Sequence, residues 1–439
     1  MSLPVAVELW GTSIGALSYP PGAGRVAVFE YEPAFVASGI QLAPLSLPLR
    51  AGTFSFPEVS ERTFLGLPGV FADSLPDRFG NQLIDKHLAN QGVPPENITA
   101  IDRLLYVGTR AMGALEYQPA RELGSAFTGR GGVLDLGALT ELAELTTRAH
   151  GELSEKLENA ETRQAALDLL RVGTSAGGAR AKALVAEGPR GELRVGTVDH
   201  GPGYRYWLLK FDGISDNKDR DAVDPPGATV VEFVYSELAR SCGIELPATR
   251  LLEHEGLRHF AIERFDRVWR GTRLDKLHYA SWCGLAHAHR DAVGAYSYEQ
   301  LVLVMRQLGL PQAQIEELFR RAVFNVLGRN HDDHTKNFGF LMDRSGRWRL
   351  APAFDLTYAH DPRGRWTHSH QITLNGKAEA FARADLVRFG AYCNLSRRDA
   401  LAVIERTRDA LAGFGVRARE LGVPEAVVQL VEEGFGGAA

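Results

Sequence analysis

Residues 311–327 carry a single apolar stripe that stops in front of eight consecutive polar residues. The stripe is Ile315, Leu318, Phe319, Ala322, Val323, Val326 and Leu327, in steps alternating three and one, the spacing of one helix face. Pro311 suits the first turn and Gly328 the end. The octet Asn330-His-Asp-Asp-His-Thr-Lys-Asn337 follows, then the apolar, strand-like stretch Phe338-Gly-Phe-Leu-Met342. A polar loop anchored by a core helix on one side and a core strand on the other is held rigidly. It presents acids and bases in a fixed arrangement, which an ordinary solvated turn does not need.

The rest of the chain places this loop late in an α+β order. Strands are predicted over 5–10, 25–31, 104–108 and 112–117, and again over 182–186, 192–198, 204–210, 249–252 and 258–264. Helices are predicted from 74 to about 87, from 134 to about 170 with a break near Gly151, and over 230–242 with Gly243 as cap. Residues 122–133 read as a Gly-rich linker and 212–228 as a long polar loop. From about 296 the chain turns helical, with two or three amphipathic helices within 395–439. Sheet first and helices last predicts an α+β fold with a sheet lobe and a helical lobe, not a doubly wound sheet.

Composition narrows the class. With 439 residues, 45% hydrophobic and 23% charged, large cores form without disulfides. Cys242, Cys283 and Cys393 are far apart with no CxxC pair, which speaks for a reducing compartment and against a zinc ribbon. The 49 basic and 54 acidic residues leave a net charge of −5, no nucleic-acid footprint on the scale of the chain. The N-terminus lacks a signal-peptide pattern and no apolar run approaches membrane-spanning length. A cytoplasmic protein without a membrane partner is expected.

Two chemistries compete for the octet. His331, Asp332, Asp333 and His334 together suggest a metal site for hydrolysis. Alternatively, Asp332 and Asn337 have the D-x-x-x-x-N spacing of a kinase catalytic loop, in which Asp takes the hydroxyl proton and Asn holds Mg²⁺. That second reading demands a further metal carboxylate beyond a hairpin. Asp355 fits, after strand-like 338–342, a turn at 343–346 and strand-like 347–350.

It also demands a phosphate cradle, a strand lysine and a helix glutamate. Gly173-Thr-Ser-Ala-Gly-Gly-Ala-Arg-Ala-Lys182 supplies glycines for close backbone approach, with Ser175, Arg180 and Lys182 able to reach phosphate oxygens. It is not a Walker A loop, because Ala179 stands where the lysine belongs. Lys210 ends the apolar strand Trp207-Leu-Leu-Lys210, where a snorkelling edge lysine is the plain alternative. Glu232 lies in the next helix, with Glu237 as competitor. Ile262-Glu-Arg-Phe-Asp-Arg267 sits midway, where a hinge would meet adenine; its plain alternative is a surface salt-bridge cluster. The order of these pieces favours the kinase reading, since the metal-hydrolase reading uses only residues 331–334.

The pieces resemble the HipA family of bacterial toxin-antitoxin serine/threonine kinases. The resemblance rests on Phe71-Ala-Asp-Ser-Leu-Pro-Asp-Arg-Phe-Gly80, Val107-Gly-Thr-Arg-Ala-Met-Gly-Ala-Leu115, Ser175-Ala-Gly-Gly-Ala-Arg-Ala-Lys182, Glu263-Arg-Phe-Asp-Arg267, Asp332-Asp-His-Thr-Lys-Asn337 and Ala351-Pro-Ala-Phe-Asp355. It implies a two-lobed protein-kinase-like fold: an N-terminal subdomain over 1–125, an ATP-binding lobe over 126–270 and a helical catalytic lobe over 271–439. It implies ATP and Mg²⁺ as cofactors and a protein serine or threonine as acceptor. Asp332 then resembles the catalytic base, Asn337 and Asp355 the metal ligands, and Lys210 the phosphate lysine anchored by Glu232. Ser175, Ala176, Gly177, Gly178, Ala179, Arg180, Lys182 and His334 join the nucleotide set, with Glu263 and Phe265 at the adenine hinge and Asp266 near the ribose.

Ser175 falls where the family carries a self-silencing autophosphorylated serine. Family toxins arrest growth by phosphorylating targets such as aminoacyl-tRNA synthetases, and a helix-turn-helix antitoxin commonly neutralises them. DNA contact is then expected only through that partner, because the chain has no evident DNA-binding segment of its own. Asp333 departs from the family pattern, which has a small residue there. A nucleotide-binding scaffold without catalysis stays open as an alternative, although Lys210, Asp332, Asn337 and Asp355 are all retained.

Overall fold

The computed structural model describes residues 4–22, 24–76, 78–89, 92–119, 133–148, 181–213 and 227–436. The expected linker over 122–133, most of the expected loop over 212–228 and the helical stretch beyond 148 fall largely outside them. So does the Gly-rich loop, with Ser175, Ala176, Gly177, Gly178, Ala179 and Arg180.

The first sheet has five antiparallel strands in the order Thr53–Phe54, Val28–Tyr31, Thr12–Ser18, Val5–Leu9 and Leu115–Gln118. Val5, Val7 and Leu9 alternate inward, as a half-buried strand requires. Trp10 and Gly11 both have positive φ, the two-residue turn that matches strand twist, and it returns the chain as Thr12–Ser18. No strand is predicted here from the sequence, because Ser13, Gly15, Ala16 and Ser18 dilute the β signal of Thr12 and Ile14. Residues 104–108, expected as a strand, instead form the end of helix Ala100–Val107 and its C-cap Gly108. Thr99 and Asp102 form a reciprocal capping box, and Ile101, Leu104 and Leu105 bury one helical face.

The second sheet runs Leu193–Val195, Lys182–Glu187, Arg205–Lys210, Leu257–Glu263 and Thr249–His254. Its strands lie close to where they are expected, and the register sets Lys182 opposite Lys210. Helix Ala228–Ser241 packs on the strands Leu257–Glu263 and Thr249–His254 of this sheet, while its Tyr235 turns to Phe324, Phe414 and Phe435 of the helical lobe. A hairpin of Arg267–Arg270 and Arg273–Lys276 leads on to His278–Ser281. That strand joins the expected hairpin Gly339–Met342 and Trp348–Leu350.

The remainder is helical: Tyr298–Gln307, Gln312–Leu327, Arg383–Tyr392, Arg397–Ala412, Phe414–Glu420 and Glu425–Gly436. Pro311 is the N-cap of the striped helix and Gly328 its C-cap. One apolar core joins the first sheet, helix Ala228–Ser241 and the helical lobe, while a second fills the space under the sheet bearing Lys210. The architecture is α+β with a sheet lobe and a helical lobe. The three cysteines are free and buried. Among the described residues, no helix is long and apolar enough to cross a membrane.

Candidate active site

Lys210 stands at the end of its strand and reaches into the cleft between the lobes. Its Nζ donates to Glu232 Oε1 at 2.6 Å and also to Asp355 Oδ1. The lysine and glutamate side chains are 8% and 3% exposed. Glu232 lies on the same helix face as Val231 and Tyr235, so burying that face delivers the carboxylate to the lysine. Glu237, the competitor in the sequence, instead pairs with Arg417 at 2.8 Å. Burial opposes the charge on Lys210, but Asp355 and Glu232 outweigh it and raise its pKa. Burial likewise opposes ionisation of Asp355, yet Lys210, Lys182 and His334 hold its pKa below the usual carboxylate range. Asp355 itself adopts a left-handed backbone, φ 54°.

The octet divides in two. Asp332 is 40% exposed, with Oδ1 3.8 Å from His334 Nε2. Asn337, closing the turn Thr335–Asn337, donates its Nδ2 to the Asp332 carbonyl at 2.6 Å. Burial lowers the His334 pKa, favouring the neutral imidazole, and the charges of Asp332 and Asp355 oppose that shift. Asp333 is buried and faces away from this group. It accepts hydrogen bonds from Tyr298 Oη, His370 Nδ1 and the Gln371 N–H, each at 2.8 Å. His331 is buried too, with Nδ1 3.0 Å from the Thr367 carbonyl and its ring against His360 and His370. His331, Asp332, Asp333 and His334 therefore do not converge on one point, which removes the basis of the metal-hydrolase alternative. Among the described residues, no group of His, Cys, Asp or Glu side chains is arranged to hold a metal ion by itself.

A polar network beneath the octet was not legible in the sequence. Asn330 Nδ2 donates to Asn325 Oδ1 at 3.0 Å and to the Asp355 carbonyl at 3.3 Å. Asn325 Nδ2 donates to Tyr298 Oη, which in turn donates to Asp333. Two asparagines five apart at the end of an apolar helix were the available signal. The network ties the start of the octet to Asp355.

The hinge segment differs from expectation at Asp266. Glu263 pairs with Arg205 at the surface, 2.7 Å, and its N–H is taken by the Ala248 carbonyl. The Phe265 ring lies 5.7 Å from that of Phe354, next to Asp355. Asp266 is fully buried, and both carboxylate oxygens are committed. Oδ1 accepts from Arg264, and Oδ2 accepts from Arg264, Arg267 and the Gly113 N–H at 2.6–2.8 Å. Asp266 is thus not free to meet a ribose; it fastens the hinge to the 107–115 segment. The salt-bridge cluster expected as the plain alternative exists, but it is buried.

The structure therefore brings together Lys182, Lys210, Glu232, Asp332, His334, Asn337 and Asp355, sets Glu263 and Phe265 at the edge of the cleft, and leaves out Asp266. The family model of the HipA-like C-terminal domain matches residues 174–413, and that of the HipA N-terminal domain matches residues 5–118. Two curated relatives carry kinase names. Y4mE of Sinorhizobium fredii is 26% identical over 137 residues, covering 30% of this chain and 32% of that protein. A Haemophilus influenzae protein is 27% identical over 139 residues, covering 28% of this chain and 39% of that one. The matches thus span between 32% and 39% of these relatives' own lengths. HipA of Shewanella oneidensis MR-1, solved with HipB and its operator DNA, superposes with a TM-score of 0.67 at 16% identity. The superposition covers 99% of this chain and 95% of that chain. The fold is the two-lobed, protein-kinase-like α+β fold. Because the two family models take in the first sheet, the lobe carrying Lys210 and the whole stretch from Asp332 to Asp355, this chain belongs to the HipA family.

Proposed function

We propose that this protein is an ATP-dependent serine/threonine protein kinase of the HipA toxin type. The observation that carries the reading is Lys210 bound at once to Glu232 of the helix and Asp355 beyond the hairpin. Glu232 fixes the lysine in place, so phosphate oxygens need only displace Asp355 from it to meet a preoriented cation. Asn337 and Asp355 would hold Mg²⁺. With Nδ2 of Asn337 committed to the Asp332 carbonyl, its remaining donor is an oxygen, the ligand type Mg²⁺ takes. Bound there, the ion would neutralise charge on the transferring phosphoryl group.

Asp332, exposed to the cleft and beside neutral His334, accepts the proton of the acceptor hydroxyl. The hydroxyl oxygen forms a bond to the γ-phosphorus as the bond to the β–γ bridging oxygen breaks, and ADP leaves. Most of the acceleration comes from positioning and charge neutralisation. Lys182 joins Lys210 in supplying positive charge to the triphosphate. Ser175 in the Gly-rich loop is the self-phosphorylation site that silences the enzyme, since a dianion there repels the triphosphate. The biological reading is growth arrest through phosphorylation of a protein such as an aminoacyl-tRNA synthetase. A helix-turn-helix antitoxin would restrain it and make any contact with DNA.

The test is the intact mass of the purified protein before and after Mg-ATP, followed by phosphosite mapping. One phosphate at Ser175, absent in Asp332→Asn, is expected. No phosphate and no ATP binding would overturn the reading. Tight Mg-ATP binding without any phosphate would reduce it to a nucleotide-binding scaffold.

A further inference from the structure

The N-terminal part of the chain reaches the phosphoryl-transfer loop at one carboxylate. Asp73 follows the short helix Gly69–Ala72, which packs on the short helix Trp282–Ala286. Its Oδ2 accepts the Ser281 N–H at 2.7 Å and its Oδ1 accepts the Ser281 hydroxyl at 2.8 Å. Ser281 is buried, and its Oγ caps the second helix by accepting the Gly284 N–H at 3.0 Å. The close approach depends on two facing glycines. A Cβ on Gly284 would lie 2.1 Å from Asp73 Oδ2, and one on Gly69 would lie 2.5 Å from the Gly284 carbonyl. The backbone there is shaped to admit the Asp73 carboxylate.

From Ser281 the contact runs straight into the catalytic turn. Ser281 pairs with Gly339 in the sheet, and the Trp282 N–H donates to the Phe338 carbonyl at 2.7 Å, one residue past Asn337. On the other side, the Thr335 hydroxyl donates to the Ala288 carbonyl at 2.7 Å. The turn Thr335–Asn337 is thus gripped from both ends by the segment that Asp73 fixes. Lys336 is the residue between those grips, and it is the cation whose field acts on Asp73. Burial pushes the Asp73 carboxyl up, and Lys336 with the Ser281 hydrogen bonds opposes this.

We propose that Asp73 is a positioning residue for phosphoryl transfer. It would hold the turn Thr335–Asn337 through Ser281, and with it the geometry of Asp332 and Asn337. The N-terminal part is then a component of the catalytic machinery as well as a folded appendage. This rests on the kinase reading above.

The test is a double-mutant cycle on the full chain with Asp73→Asn, Ser281→Ala and both together. The autophosphorylation rate is measured against Mg-ATP concentration at a temperature where every variant is folded. Each single change is expected to lower the maximal rate by about tenfold or more, as a displacement of catalytic groups does. The half-saturating ATP concentration stays within about twofold, and the double variant loses no more than the worse single one. Additive losses, or a loss confined to ATP affinity, would overturn the proposal. Hydrogen exchange of amides 334–338 is followed on the same proteins and needs no catalysis. Faster exchange in Asp73→Asn with no phosphorylation even in wild type would retire the kinase reading and, with it, a role in phosphoryl transfer, leaving only the structural hold of Asp73 on the turn. Normal phosphorylation with unchanged exchange would retire the positioning role alone.

Discussion

Lys210 Nζ lies 2.6 Å from Glu232 Oε1, and the same ammonium touches Asp355, so one cation joins a strand, a helix and the segment after the hairpin. Two carboxylates around one lysine would leave an excess negative charge in a closed site. Lys182, opposite Lys210 in the sheet register, supplies the second positive charge and acts on Asp355. The quartet is locally neutral before any nucleotide arrives. A triphosphate with its metal brings its own charges and competes for both lysines.

Glu232→Gln keeps the shape of that contact and removes one negative charge. Lys210 retains Asp355, so the loss of stability should fall below the about 3–5 kcal/mol of a fully orphaned buried ion. Phosphoryl transfer should fall much further than stability, because Lys210 is then drawn to Asp355 alone. Urea denaturation alongside a phosphorylation assay separates the two; equal losses in both would contradict the anchoring role.

Asp332→Asn removes a half-exposed carboxylate with few partners. The melting temperature should stay near wild type while transfer falls by about 10²–10⁴-fold, the range for losing a general base. Transfer at the wild-type rate would place the base elsewhere.

Asp333→Ala should behave in the opposite way. The change leaves Tyr298, His370 and the Gln371 N–H without their acceptor in the interior. A cost of about 3 kcal/mol or more is expected. Calorimetry on the two neighbouring variants gives the comparison, and an unperturbed Asp333→Ala protein would contradict the buried geometry.

Gly113 joins the hinge to the N-terminal part. It has φ 84°, its N–H binds Asp266, and a Cβ there would lie 2.8 Å from the Tyr279 nitrogen. Gly113→Ala should weaken ATP binding and cost about 1–3 kcal/mol of stability through backbone strain. Titration calorimetry with Mg-ATP reads the first effect; unchanged affinity would show that the hinge does not depend on this fastening.

Acid should destabilise the fold well above the usual carboxylate range. Burial pushes His259 and His278 down to about 4 from an ordinary 6.5. Below pH 6.5 the unfolded chain takes up protons that the folded chain refuses. Each histidine therefore removes about 1.4 kcal/mol per pH unit as pH falls from 6.5 toward 4. Urea midpoints at pH 7.5, 6.0 and 5.0 should decline, and less steeply in His278→Asn. A flat profile with parallel behaviour in the variant would contradict the buried neutral state.

Much of the site was legible because it is written in local spacing. The stripe over 311–327 fixes a helix, the octet fixes a polar loop between two apolar anchors, and Asp355 follows a hairpin whose turn and strands are readable. These features depend on neighbours a few residues away, which is what periodicity reports. The choice of Glu232 over Glu237 was not of that kind. Both lie on one helix, and the decision rests on Arg417, far along the chain, capturing Glu237.

The sequence by itself determined which chemical groups are present, their order, and the helix and hairpins that carry them. Only the tertiary structure decided which way each one faces. Asp332 and Asp333 are adjacent and chemically identical, yet one opens to the cleft and the other is enclosed by Tyr298, His370 and Gln371. Asp266 looks like a ribose ligand by position and is instead enclosed by Arg264, Arg267 and Gly113. A buried carboxylate goes where donors can replace its water, and those donors come from distant parts of the chain that local spacing does not encode.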